Sequence, residues 1–183
     1  IHLGSHKEQG RDNGIKQLLK SCGEAVDNYK STFKRKLDVT ILLENSAGQK
    51  GSMGSKLEEL EEILDKLSSK TFCVCLDTCH AFAAGYDLST EEACKRFISE
   101  FDKIVGLGVL KFIHLNDSKY EIGSHLDRHE LVGNGKIGIE GFRTIINHKI
   151  LGDIPMVMEP NFVSIEEDVK NLELVRKLRK RTN

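Results

Sequence analysis

The sequence has no apolar run approaching the roughly 20 residues that a membrane-crossing helix needs. Its five cysteines, Cys22, Cys73, Cys75, Cys79 and Cys94, form an odd, irregularly spaced set. That argues against a disulfide framework and for a reducing, intracellular compartment, with nucleus, mitochondrion and cytoplasm all open. Formal net charge is only −1 at pH 7, so no global basic field advertises a polyanionic partner. There is no initiator methionine, signal peptide or leader; "IHLGSH" opens on a strand-like residue and a histidine and reads as a chain cut inside an element. What is present, 183 residues with 39% apolar and 30% charged side chains, describes one ordinary globular domain.

Short apolar or β-branched runs recur at residues 1–3, "DVTILLE" (38–44), "FCVCLD" (72–77), "KFIHL" (111–115) and "IPMVME" (154–159). Between them lie apolar stripes at helical steps of three and four. The first stripe is Ile15, Leu18, Leu19, Cys22, Ala25, Val26, Tyr29 and Phe33. Three later helices announce their starts with a Ser and a Glu three residues on: Ser55/Glu58, Ser89/Glu92 and Ser164/Glu167. Each pair is a potential capping box. A shorter helix is expected over residues 139–147. Five strand–helix units predict a parallel sheet with right-handed crossovers. A closed barrel needs eight such units, so a doubly wound open sheet is the default at this length.

The polar residues argue otherwise. Every expected strand ends in a potential metal ligand: His2, Glu44, Asp77, His114 and Glu159. Functional residues gather at the carboxyl ends of strands in α/β folds, although any one strand-end Asp or Glu has an ordinary alternative as a helix cap. "CLDTCH" adds His80 three residues beyond Asp77, and "DRH" adds Asp127 and His129 in a loop. Carboxylate oxygen and imidazole nitrogen suit Zn²⁺, and Mn²⁺ or Fe²⁺ less specifically. One metal takes three or four protein ligands, so eight candidates imply more than one ion.

The motifs "HLGSH" (2–6), "LLENSAGQ" (42–49), "CLDTCHAFAAGYD" (75–87), "HLNDSKYEIGSHLDRHE" (114–130) and "VGNGKIG" (132–138), in this order, resemble the endonuclease IV family of apurinic/apyrimidinic endonucleases, zinc enzymes of DNA base-excision repair. The resemblance covers essentially the whole chain. It implies a (β/α)₈ TIM barrel, here incomplete with about five βα units, so that residues 1–183 are the C-terminal part of a single catalytic domain. It implies three Zn²⁺ at the carboxyl face. His2 and Glu44 would serve the first, Glu44, Asp77, His114 and Glu159 the second, and His80, Asp127 and His129 the third, with Glu44 bridging two ions and orienting or deprotonating water. The implied reaction is hydrolysis of the DNA backbone 5′ to an abasic site, leaving a 3′-hydroxyl, with trimming of blocked 3′ ends. The implied partner is double-stranded DNA containing abasic sites, met by a monomer without a membrane, through loops carrying Gln49, Lys119, Arg128, Asn134 and Lys136. Zn²⁺ lowers the pKa of bound water to about 7, so no side-chain nucleophile is required.

The family has roughly a hundred further residues ahead of the point where this sequence starts, carrying three strands, another histidine for the first zinc, and side chains that wedge into DNA. Two alternatives therefore stand: a zinc-binding chain without turnover, and a metal-dependent sugar isomerase or epimerase on a related barrel. The group of His80, Asp127 and His129 discriminates against the second, where a third metal site has no role. Other signals are set aside. "GNGKIG" (133–138) fits the dinucleotide pattern but lacks a preceding strand. Cys73 and Cys75 read as core residues, and Cys79 as part of the zinc motif rather than a nucleophile. His6, His125 and His148 read as surface or supporting groups, and "RKLRKR" (176–181) as a solvated helix end.

Overall fold

The computed structural model describes residues 1–67, 70–161 and 164–180. Four of the five expected strands form one parallel sheet: β1 (Ile41–Glu44), β2 (Phe72–Asp77), β3 (Leu110–His114) and, after a two-stranded excursion of β4 (Asp117–Ser118) against β5 (His129–Glu130), β6 (Met156–Val157). Their spatial order is β1-β2-β3-β6. Neighbours in the chain are neighbours in the sheet, as in a barrel wall; a doubly wound sheet reverses its order at a switch point. The fold is therefore a TIM-barrel-like α/β arc, with four of the eight strands of a closed barrel.

The fifth expected strand, at residues 1–3, is reduced to an isolated parallel bridge between His2 and Glu44. Gly4 explains the loss. At φ +78 it takes a left-handed turn that suits glycine, and its carbonyl then accepts from Met53 N–H while Ser5 pairs antiparallel with Ser52. The chain leaves the sheet just after His2 has been aligned with it.

Six helices flank the sheet among the described residues: α1 (Arg11–Phe33), α2 (Leu57–Asp65), α3 (Thr78–Ala84), α4 (Glu91–Ile104), α5 (Gly138–Ile146) and α6 (Ile165–Leu178). Strand alternation sends Leu43, Phe72, Val74, Leu76 and Ile113 to the helix side, where Leu60, Ile63, Phe97, Phe101, Phe142 and Ile145 meet them in one core. Full burial of each such side chain is worth about 1.5–3 kcal/mol. The opposite face carries Leu42, Cys73, Cys75 and Phe112, and leads up to Glu44, Asp77 and His114.

Of the three expected capping boxes, only Ser164/Glu167 forms, at α6. At α4 the cap is Thr90, whose hydroxyl accepts from Ala93 N–H, because Ser89 is committed to Asp87. At α2 the first amide, Leu57 N–H, donates instead to the Tyr86 hydroxyl, 3.0 Å away, and Glu59 rather than Glu58 turns back to accept from Gly54 N–H. The long apolar stripe on α1 is also used only in part. Ile15, Cys22 and Val26 are buried, whereas Ala25 and Phe33 are exposed. No helix among the described residues is long and apolar enough to cross a membrane. Arg181, at the end of the basic run, lies outside the described residues.

Candidate metal centre

Parallel pairing sets the strand ends level: Asp77 lies opposite His114, His114 opposite Val157, and Glu44 opposite both Cys75 and, through the isolated bridge, His2. Because Glu44, Asp77 and His114 are the last residues of their strands, their side chains meet on one rim. Glu159 follows two residues after β6. Glu44, Asp77, His114 and Glu159 bring one ligand atom each to within 4.8 Å of one another, and so do His80, Asp127 and His129. In the first group the His114 Nδ1 lies 3.0 Å from Glu44 Oε1 and 3.0 Å from Glu159 Oε2. In the second, Asp127 Oδ1 lies 3.2 Å from His80 Nε2 and 3.4 Å from His129 Nε2. His2 stands apart from both, with Nε2 3.3 Å from Glu44 Oε2. Glu44 is thus the side chain that touches His2 on one oxygen and His114 on the other.

The histidines are oriented from behind. His80 Nδ1 lies 2.9 Å from the Asn45 carbonyl, and His129 Nδ1 lies 2.8 Å from the Glu159 carbonyl. A carbonyl only accepts, so each Nδ1 carries its proton, and each Nε2 is the atom left to bind something else. Both Nε2 atoms are shielded from solvent and have no hydrogen-bond partner. Asp127 Oδ1 is the acceptor that both face, at 3.2 and 3.4 Å. Orphaned buried nitrogens are costly, and here they face carboxylates in a set of N and O donors that suits Zn²⁺. The residues fit a metal.

Asp77 holds the rim together. It is fully buried, ends β2 and caps α3, its Oδ1 accepting from His80 N–H at 2.7 Å. The helix-cap role is therefore met by Oδ1, while Oδ2 lies 3.6 Å from His129 Nε2. Four residues outside the expected ligand set complete the support. Asn45 spans from β1 to β2, its amide bonding both the N–H and the carbonyl of Asp77. Asn116 donates to Asp77 Oδ2 at 2.6 Å and accepts from Glu159 N–H at 2.7 Å. Thr78 donates to the Asn116 carbonyl. Asp117, with no exposed surface, accepts from Ser118 and Ile137 on one oxygen and from Gly133, Gly135 and Gly138 on the other. A faint signal existed: Asn45, Thr78 and Asn116 are the polar residues just beyond Glu44, Asp77 and His114.

That Asp117 cluster explains "GNGKIG". The loop wraps an internal carboxylate, where the dinucleotide motif would wrap a phosphate. Gly135 is obligatory there, because a Cβ would lie 2.5 Å from Asp117 Oδ1 and 2.4 Å from the Ser118 carbonyl.

The electrostatics follow the crowding. Burial alone would raise the Glu44 carboxyl, but the hydrogen bond and charge of His114, with His80 and His2, hold it below its ordinary value. Burial prevails at Asp77, which is raised despite His80 and His129. Burial works to lower His80, yet Asp127, Asp77 and Glu44 carry it up to about 9. The Cys75 sulfur and the Glu44 carboxylate carry His114 to about 10. Burial, reinforced by Asp77, pushes the Cys79 thiol up to about 12, which leaves it a protonated donor to the Arg128 carbonyl rather than a nucleophile.

Beside the rim a cleft of about 300 Å³ is lined by His2, Asn45, Ser46, Gln49, His80 and Asp127, among others. Of the loop residues expected to meet DNA, Gln49 lines this cleft. Lys119, Arg128, Asn134 and Lys136 are exposed on the loops that follow β3. Lys136 is paired with Glu121, and the Arg128 guanidinium donates to the Asp127 carbonyl. His125 reaches the Ala47 carbonyl, and His148 accepts from Ile150 and Leu151 N–H. All five cysteines are buried.

Residues 1–180 match the family model described as xylose isomerase-like TIM barrel. The chain is similar to a probable endonuclease 4 of Cenarchaeum symbiosum (strain A), with 49% identity over 178 residues, covering 97% of this chain and 61% of that protein. It superimposes on the crystal structure of endonuclease IV from Thermus thermophilus with a TM-score of 0.80 at 30% identity, covering 97% of this chain and 60% of that one. A D-tagatose 3-epimerase-like protein shares the fold, with a TM-score of 0.68 at 23% identity over 97% of this chain and 60% of that one. The chain thus spans about 60% of the length of these relatives.

Proposed function

Because this chain belongs to the xylose isomerase-like TIM barrel family, on its endonuclease IV side, we propose that it is the metal-binding part of a zinc-dependent phosphodiesterase that cuts DNA 5′ to an abasic site and leaves a 3′-hydroxyl. The observation that carries this reading is the pair of buried, unpartnered nitrogens, His80 Nε2 and His129 Nε2, turned toward Asp127. Glu44, Asp77, His114 and Glu159 would hold one zinc ion, His80, Asp127 and His129 a second, and His2 with Glu44 would contribute to a third. Zinc at these positions supplies Lewis acidity toward phosphate oxygens and acidifies water at neutral pH.

The protein's own groups do the rest. Glu44, kept ionised by its histidine neighbours, would accept the proton of the attacking water at a carboxylate oxygen. Asn45 and Asn116 hold Asp77 and Glu159 still, so the rim does not reorganise as phosphate charge develops. The adjoining cleft would receive the extruded sugar unit, and a nucleotide without a base is the cheapest to extrude. Lys119 and Arg128 would meet the backbone, with Gln49, Asn134 and Lys136 alongside.

The sugar epimerase alternative needs only the Glu44 group and gives the His80 group no work. The test is incision of a duplex carrying one abasic site, by this chain and by this chain completed with the portion of an endonuclease IV relative that it does not cover. Zinc-dependent nicking 5′ to the lesion, lost on chelation, is expected. Nicking by neither, with zinc demonstrably bound, would contradict the proposal and favour a zinc-binding chain without turnover.

A further inference from the structure

A third trio of donors overlaps the two groups above. Asp77, Cys79 and His129 bring a carboxylate oxygen, a sulfur and a ring nitrogen within 4.8 Å of one another. We propose that this trio is an alternative, overlapping site for a thiophilic cation of the Cd²⁺, Hg²⁺ or Cu⁺ class, competing with whatever ion the His80, Asp127 and His129 group holds.

Three features support it. Cys79 is the second residue of α3, and the same Asp77 that caps α3 supplies the oxygen, so the two donors are fixed relative to each other. The sulfur has no exposed surface and bonds the Arg128 carbonyl, at 3.5 Å, and the Ser118 side chain; S–H is a weak donor, so little is lost when a cation displaces these contacts. The third donor is the buried, unpartnered His129 Nε2, since its Nδ1 is committed to the Glu159 carbonyl.

Donor chemistry then sets the preference. The other two groups offer only nitrogen and oxygen, whereas this one adds sulfur, which selects for soft ions. On binding, the S–H bond breaks, its proton leaves to solvent, and the thiolate pair forms the sulfur–metal bond. Occupancy is exclusive, because an ion at the trio takes His129 from one neighbouring group and Asp77 from the other. A soft ion would therefore evict zinc rather than join it. The inference rests on the metal-binding reading of the rim and not on the DNA chemistry.

The test uses the unmodified chain, first counted for zinc and then loaded with one equivalent of Cd²⁺. X-ray absorption at the cadmium edge should show one sulfur neighbour, and an ultraviolet thiolate-to-cadmium charge-transfer band should appear as zinc is released. Cys79→Ser should lose both signals, while Cys94→Ser, a substitution elsewhere in the core, should keep them. A cadmium shell of nitrogen and oxygen alone in the unmodified chain overturns the site, and so does a band that survives Cys79→Ser. Zinc uptake with sulfur-free cadmium would sink this inference only; uptake of neither metal would sink the proposed function with it.

Discussion

The two faces of the sheet differ in what finishes them. On the helix side Leu43, Val74 and Ile113 have no exposed surface and belong to one apolar core. On the other side Leu42 and Phe112 are half-buried and Val157 is 45% exposed; order there is concentrated at the rim, in Asp77, Asn45, Asn116 and Asp117. One face is closed by hydrophobic packing; the other ends in hydrogen bonds around the candidate ligand groups. Stability and metal binding should therefore be separable by face.

The largest effect expected is on the packed face. Ile113→Ala leaves a cavity under α-helical cover and should cost about 2–5 kcal/mol of unfolding free energy, by a similar amount in metal-free and zinc-loaded chain, as chemical denaturation would show. A cost that vanished when zinc was bound would break the separation. Zinc comes next. Present at a hundred times its dissociation constant, it should stabilise the chain by about 2.7 kcal/mol per site, and the melting temperature should rise accordingly.

Acidity gives that comparison a sign. In the metal-free chain His80 and His114 are raised to about 9 and about 10, against about 6.5 when unfolded. The folded state then binds more protons, so this contribution to stability is full below pH 6.5 and is lost as pH climbs through 9 to 10. Zinc must displace those protons, so its affinity should rise over the same window. Parallel denaturation and zinc titrations from pH 6 to 9 should slope in opposite directions; two slopes of the same sign would contradict the assignment.

The strand ends at Glu44, Asp77 and His114 were legible because local pattern carries them: an apolar run that stops at a polar residue marks a strand end. The supports left only a faint signal, their position just beyond the strand ends. Asn45 and Asn116 act across 32 to 43 positions of chain, and no local periodicity encodes such a partner. A distant partner also undid the capping box at α2, where Tyr86 took the Leu57 amide; at α4 the competitor was local, Asp87 bonding Ser89 two residues on. The first strand failed for a local reason, the left-handed turn at Gly4 after a single bridge.

Two smaller effects sharpen the contrast. Asn116→Ala removes the partner of a ligand carboxylate and should weaken zinc binding about 10–100-fold, read by competition with a chromophoric chelator. Ser164→Ala, at the α6 capping box remote from the rim, should cost about 1 kcal/mol of stability and leave zinc affinity unchanged in the same assay.

The most direct measurement is the zinc count per folded chain by native mass spectrometry, for the unmodified protein and for His80→Ala. Two tightly held ions, falling to one in the variant, are what the two ligand groups predict. A chain that holds none, or a count that His80→Ala does not change, would contradict the account.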